Sequence, residues 1–173
     1  FALAGRAVTV HGIATKEYPT PATRPLNSRL DCRSLETDFK ILNQRIGLGE
    51  TVQLKMDIAQ LSIGTKIEVP IIVSRGLKEG PCLLLIGGIH GDETNGIEIV
   101  RQIIATGLNK PEVGTVICIP VLNVFGFLNK SREFPDGRDL NRAFPGSAKG
   151  SLASRFAYHL MTKVIPKVNY CID

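Results

Sequence analysis

His90 and Glu93 stand three residues apart in the segment Gly87-Gly-Ile-His-Gly-Asp-Glu93. An imidazole nitrogen and a carboxylate oxygen are both good donors to a divalent zinc ion. A hydrolytic zinc site uses three protein ligands and leaves one position open for water. Water bound there ionises near neutral pH, while the metal polarises the carbonyl under attack. The same four residues also suit a blander role. A helix start with Asp92 or Glu93 near its N-terminus is favoured by the helix dipole without any metal. The chain contains no His-Glu-x-x-His helix, so the thermolysin-type arrangement is excluded.

A second polar segment runs from Pro120 through Asn123 to Arg132, and on through Pro135, Arg138, Asp139, Asn141 and Arg142 to Gly146. Arginine offers a planar fork that grips a carboxylate with two hydrogen bonds. Asparagine offers both donor and acceptor. Arg132, Asn141 and Arg142 are therefore equipped to hold an anionic acyl-amino acid, and Arg132 could also stabilise an oxyanion. The plainer alternative is a surface loop with local Asp–Arg pairs, which contribute little.

The elements that must carry these residues follow from periodicity. Residues 1 to about 45 form an irregular arm punctuated by Pro19, Pro21 and Pro25, with one short helix expected around Ser34–Leu42. The patterned domain is expected from residue 46 to 173. Val52, Leu54, Met56 and Ile58 alternate as on a half-buried strand. Thr65–Ser74 is β-branched, and Pro70 within it points to an edge strand or a break. Lys78–Pro81 reads as a turn, and Cys82–Ile86 as a strand covered on both faces. A helix is expected from Thr94, with Ile97, Val100, Ile103, Ile104 and Leu108 at helical spacing. Gly114–Val121 reads as a strand, 123–150 as a long loop, Ser151–Val164 as a helix and Val168–Asp173 as a further strand. Strands alternating with helices indicate an α/β layered domain. In that class a strand delivers ligand-binding groups to its carboxyl end.

Composition restricts the function classes. The chain has 173 residues, 43% hydrophobic and 21% charged, as in a soluble globular domain. No apolar run reaches the ~20 residues of a membrane span, and no signal peptide is visible. The net charge of +5 is scattered. No basic-aromatic stripe of the kind nucleic-acid binding needs is present. Cys32, Cys82, Cys118 and Cys171 form no Cys-x-x-Cys pair and read as buried thiols of a reduced compartment, so a cytoplasmic location is expected. Homo-oligomers are neither required nor excluded.

Two motifs, His90-Gly-Asp-Glu93 and Asp139-Leu-Asn-Arg142 followed by Phe144-Pro-Gly146, lie in that order roughly fifty positions apart, each after an expected buried strand. Together they resemble the succinylglutamate desuccinylase/aspartoacylase family, a branch of the zinc carboxypeptidase-like fold. The resemblance covers roughly Ile58 to Asp173. It implies a three-layer αβα domain on a mixed, largely parallel sheet. It also implies one zinc ion held by His90 and Glu93, and a small N-acyl amino acid as substrate. Asn141 and Arg142 would hold the substrate carboxylate. Arg132 would polarise the carbonyl, with Arg138 a competing candidate because the loop length varies. Asp139 would support the loop. The family's third ligand, a histidine, follows a strand such as Tyr170-Cys-Ile-Asp173, and its catalytic glutamate lies further on. His11 and His159 are poor substitutes. The chain starts at Phe1 and stops inside an expected strand, so it reads as a truncated form that is inactive alone. The expected whole is a zinc-dependent amidohydrolase, or deacylase. The alternatives are a metallocarboxypeptidase acting on peptides and a non-catalytic, degenerate module.

Overall fold

The computed structural model describes residues 39–60 and 66–173. The arm up to residue 38, Cys32 and the first part of the expected 34–42 helix lie outside the described residues. The remainder of that helix is instead a hairpin, with β1 (Phe39–Ile41) antiparallel to β2 (Gln44–Ile46). Leu42 and Asn43 both adopt positive φ, 49° and 64°, and turn the chain back within two residues. That is the backbone a tight hairpin of twisted strands requires. Ile41 and Ile46 enter the main core, so the packed domain begins before residue 46.

The main sheet has five strands in the order β3 (Thr51–Gln60), β4 (Lys66–Arg75), β6 (Val113–Ile119), β5 (Lys78–Ile86), β7 (Tyr170–Ile172). It is mixed. β5 pairs in parallel with β6 and β7, whereas β3–β4 and β4–β6 are antiparallel. Pro70 neither breaks β4 nor marks a whole edge strand. Beyond Ile72 towards Pro70, β4 outruns its partner β6 and pairs with β3 alone, so a missing N–H is tolerated there. Lys78–Pro81 is likewise strand rather than turn: β5 starts at Lys78, and a register shift between Lys78 and Cys82 absorbs Pro81.

Leu84 and Ile86 of β5 and Ile117 and Ile119 of β6 face α3 (Leu152–Lys163), whose Phe156 and Leu160 join the same cluster. Cys118, pointing the other way, and Ile97 and Val100 of α1 (Thr94–Ala105) are buried outside that cluster. The sheet is thus sandwiched between α1 and α3, giving the three-layer α/β domain expected. α1 ends earlier than its apolar spacing suggests. Gly107 turns at φ 75° and leaves Leu108 75% exposed. The expected 123–150 loop contains a short helix, α2 (Val124–Asn129), and a 3-10 turn at Leu140–Arg142. Of the cysteines, Cys82 and Cys118 are buried free thiols, and burial pushes them up to about 12 and about 11. Cys171 on β7, the last strand in the sheet order, is exposed rather than buried. Among the described residues no helix is long and apolar enough to cross a membrane.

One topological fact places the site. The chain leaves β5 through α1 to β6 on one side, and leaves β6 through α3 to β7 on the other. The carboxyl ends of β5 and β6 therefore flank a switch point, where the two connections depart over opposite faces and open a crevice. Leu84 is fully buried at the centre of this sheet. Leu84→Ala should lower unfolding stability by about 2–5 kcal/mol, whereas Leu108→Ala should stay within about 0.5 kcal/mol. Urea denaturation of both variants checks the contrast, and equal costs would contradict the core described above.

Candidate active site

The segments that follow β5 and β6 stay bonded to each other beyond the strands. Gly87 N donates to Ile119 O (2.9 Å), Leu122 N to Gly87 O (2.9 Å) and Asn123 N to Gly88 O (2.8 Å). Past that zipper the Gly91 backbone lies directly on the backbone of Gly126 and Phe127, where a Cβ would collide with main-chain atoms. Gly91 N donates to Ser131 O at 3.1 Å. Glycine is required there for close approach rather than for an unusual φ. The contact presses the His90–Glu93 segment against the one that leads to Arg132.

Four polar side chains converge at this edge. The His90 side chain is only 5% exposed. Its Nδ1 lies 3.1 Å from Glu93 Oε1 and its Nε2 3.0 Å from Asp139 Oδ1. Arg132 donates from Nε to Asp139 Oδ2 (3.1 Å) and from NH1 to Glu93 Oε1 (3.3 Å). Asp139 also accepts the backbone N–H of Asn141 at 2.9 Å. Burial opposes its ionisation, but the bonds from His90, Arg132 and Asn141 outweigh it and hold the carboxyl below the usual carboxylate range. A neutral imidazole can donate through one nitrogen only. Asp139, 18% exposed against 63% for Glu93, is the drier acceptor. A hydrogen bond there is electrostatically stronger, and with the Nε2 proton given to Asp139 the Nδ1 lone pair would be free for an ion lying between it and Glu93.

Glu93 occupies the N-cap position of α1, yet its side chain makes no capping hydrogen bond. A residue serving only to start the helix would turn its carboxylate onto the free N–H groups. Glu93 turns it to His90 and Arg132 instead. The donors present fit part of a zinc site. Two ligands at about 2.1 Å from a tetrahedral ion sit roughly 3.4 Å apart, close to the 3.1 Å between Nδ1 and Oε1. The carboxylate on the far side of the ring matches the support that metal-bound histidines commonly receive. No group of three or more ligating side chains is arranged for an ion among the described residues. A cleft of about 570 Å³ opens beside Glu93, between Gly87 and Gly88, the first turn of α1 and Asp173.

The long loop is anchored at several points. Asn123 is fully buried, caps α2 through Gly126 N (2.8 Å) and donates to the carbonyls of Arg132 (3.3 Å) and Glu133 (3.2 Å). Phe134 stacks on Phe156 at 5.4 Å and meets Phe125 edge-on at 6.0 Å. Asp136 Oδ2 accepts Ala153 N at 2.9 Å, at the start of α3. Burial raises the Asp136 pKa, but hydrogen bonds from Ala153, Ser151 and nearby backbone N–H groups prevail and lower it.

Of the residues expected from sequence, His90, Glu93 and Arg132 come together. Arg142 reaches Asp139 only at 3.8 Å with its side chain 86% exposed. The side chains of Asn141 and Arg138 are exposed, and Asn141 joins the group only through its backbone N–H. Asp139 does more than support its loop, since it holds His90 and Arg132 together. Asn123 and Asp136 were not singled out as site residues. An asparagine placed directly after a buried strand was the available signal for the first. His159 lies on α3 with its pKa lowered, by burial first and then by Lys163 and Arg155, and it is not part of this group.

Fold and site together define an α/β protein with a His–Glu pair, an arginine and a supporting aspartate at the switch point of a mixed sheet. The succinylglutamate desuccinylase/aspartoacylase catalytic domain matches residues 79–173, and the chain belongs to that family. Over 109 residues it is 34% identical to the N-alpha-acetyl-L-2,4-diaminobutyric acid deacetylase of Halomonas elongata, covering 62% of this chain and 31% of that one. The product-bound ectoine utilization protein EutE (DoeB) of Ruegeria pomeroyi is similar in structure, with TM-score 0.62, 27% identity, and 71% and 39% of the two chains covered. A succinylglutamate desuccinylase/aspartoacylase of Rhodobacter sphaeroides gives 0.58, 29%, and 72% and 38%. The matched part corresponds to about a third of the length of the Halomonas relative.

Two variants test the loop anchoring. Gly91→Ala should force the two site segments apart and lower the stability measured by thermal unfolding, because main-chain atoms occupy the space of the new methyl. Asp136→Asn should destabilise the fold by about 1 kcal/mol at neutral pH, the difference between a hydrogen bond to a charged and to a neutral acceptor. The Asp136 pKa is lower folded than unfolded, so its stabilisation is complete above the unfolded value of ~3.9 and is lost as pH falls through the folded value. The gap between the urea midpoints of wild type and variant should therefore narrow as pH falls below about 4. A gap that does not narrow with falling pH would contradict a charge-dependent anchor.

Proposed function

We propose that the protein to which this chain belongs is a zinc-dependent amidohydrolase that cleaves the amide bond of an N-acyl amino acid. The observation that carries the reading is Glu93, which forgoes capping α1 and faces the Nδ1 of a buried histidine at 3.1 Å, in a chain of this family. His90 Nδ1 and the Glu93 carboxylate would hold the ion. When bound, zinc supplies a water that ionises near neutral pH and a Lewis acid for the substrate carbonyl. Asp139 keeps the His90 ring oriented and Nε2 protonated. Arg132, already on the same carboxylates, has a further guanidinium N–H edge to offer an oxyanion. Arg142 is exposed and only loosely paired, so its fork is available for a substrate carboxylate, with Asn141 beside it. Arg138 is exposed next to Asp139 and is a second candidate for that contact. The third ligand and the general-base glutamate that the family resemblance implies are not among these residues. We place the protein in the cytoplasm, a reading supported by its free buried thiols.

The test uses the whole protein. Its hydrolysis of N-acyl amino acids, beginning with the N-acetyl-diaminobutyrate named for the Halomonas relative, is compared with hydrolysis of short peptides. The expected result is release of free amino acid from the former and none from the latter. Elemental analysis should find zinc in the wild type and loss of most of it, together with activity, in His90→Ala. Unchanged metal content in that variant sinks the assignment. Cleavage confined to peptides would instead make the protein a carboxypeptidase.

A further inference from the structure

We infer that Asn123 is the positioning residue for Arg132, setting by a buried side-chain tether where the carbonyl-polarising guanidinium starts. This rests on the amidohydrolase reading above, in which Arg132 acts on the substrate carbonyl.

Asn123 is completely buried. Its backbone N–H donates to Gly88 O at 2.8 Å, and its backbone carbonyl accepts Phe127 N at 2.9 Å. Its side-chain oxygen accepts Gly126 N at 2.8 Å. Its Nδ2 donates to Arg132 O at 3.3 Å and Glu133 O at 3.2 Å. One residue therefore joins the stretch after β5, the first turn of α2 and the backbone of Arg132 itself.

The two functions of this side chain can be separated. Capping α2 needs only an acceptor, which serine or aspartate supplies equally well. Holding two carbonyls needs two N–H donors on the same group, and among short side chains only asparagine offers both together. Glutamine is one methylene longer, and a fully buried side chain cannot lengthen without its neighbours moving. The choice of asparagine is thus explained by the Arg132 and Glu133 carbonyls rather than by the helix.

Asp139 at 3.1 Å and Glu93 at 3.3 Å hold only the tip of the Arg132 side chain, which is itself 47% exposed, and Glu93 is 63% exposed. Ion pairs in that setting are weak and screened. The dry amide contacts at its own main chain are the stronger constraint. A displacement of about 1 Å in a group that meets the transition state can cost on the order of 100-fold in rate.

The experiment uses the whole protein and compares Asn123→Ser, which keeps the cap acceptor and removes both tether donors, with Arg132→Ala and the double variant. Asn123→Ser should keep its zinc and a KM within about 3-fold, while kcat falls roughly 10- to 100-fold, the signature of an interaction made in the transition state. The double variant should be no slower than Arg132→Ala, because the tether acts only through that arginine. The Arg132 Nε–H, bonded to Asp139 at 3.1 Å in the wild type, should exchange faster with solvent in Asn123→Ser by NMR. Wild-type kcat and unchanged Nε–H exchange in Asn123→Ser would overturn the tether, as would losses that multiply in the double variant. Should Asn123→Ser not fold, the unaltered protein still decides: both Asn123 side-chain amide protons must exchange slowly, and rapid exchange refutes the tether. The two failures are distinguishable. A wild type inactive on every N-acyl amino acid removes the amidohydrolase reading, while the exchange measurements still judge the tether. An active wild type with an impaired Arg132→Ala and an unimpaired Asn123→Ser removes the tether alone.

Discussion

The carboxylate of Asp139 is the interaction on which the site's geometry depends. It accepts from His90, Arg132 and the backbone of Asn141, three donors from two stretches of chain. Without it, the ring of His90 would have only one partner, the largely exposed Glu93. A contact with a largely exposed carboxylate does not fix a ring. Asp139 can do so because it is mostly shielded from water and its own loop is tied down. Leu140, next to it, is fully buried, and the 3-10 turn that follows is capped by the same carboxylate. One side chain therefore orders its own loop and orients a histidine 49 residues earlier.

Such an arrangement is possible only because the sheet brings two distant segments to one edge. β5 and β6 are parallel neighbours, so both end at the same side. The connections that follow depart over opposite faces and leave the crevice clear. Backbone hydrogen bonds at Gly87 and Gly88 carry the pairing past the last strand residues, and the contact of Gly91 with Gly126 extends it further. Side-chain distances near 3 Å across the site need backbones this closely held. A larger residue at Gly91 would separate the segments by more than a hydrogen bond can span.

Much of this was legible in the sequence, for physical reasons that differ from element to element. The strand Cys82–Ile86 is a continuous apolar run and the helices beginning at Thr94 and Ser151 are strongly periodic, and both patterns report burial directly. His90, Glu93 and Arg132 were recognisable because their types and order are specific together. Other features depended on tertiary context. Pro70 looked like a strand breaker, since nothing local reveals that β6 stops short of it. The helix Val124–Asn129 is only six residues long and contains a glycine, so it has no readable period. It exists because Asn123 caps one end and Lys130, in a left-handed conformation, closes the other. The expected helix at 34–42 gave way, over Phe39–Ile41, to a hairpin whose turn is Leu42-Asn43, a pair without the glycine that usually announces one. The role of Asp139 was underestimated because a loop aspartate between arginines reads as a surface ion pair until its burial is known.

The polar groups of the site divide by water content, and that division matches the work each could do. His90, Asp139 and Asn123 are shielded, so their hydrogen bonds are directional constraints rather than tunable attractions. Glu93, Arg132 and Arg142 stand at the mouth, where charges remain hydrated and can exchange partners at little cost. In the chain as described, Arg132 and Glu93 satisfy each other. A carbonyl and a metal ion are the species that would compete for those two groups, and both charges are accessible enough to be competed for. The inner residues face the opposite requirement, because a histidine that turned freely, or an arginine whose backbone drifted, would lose the convergence. A rigid dry layer beneath a replaceable wet one is what a site needs if it is to bind a charged substrate and still hold its reacting groups in place.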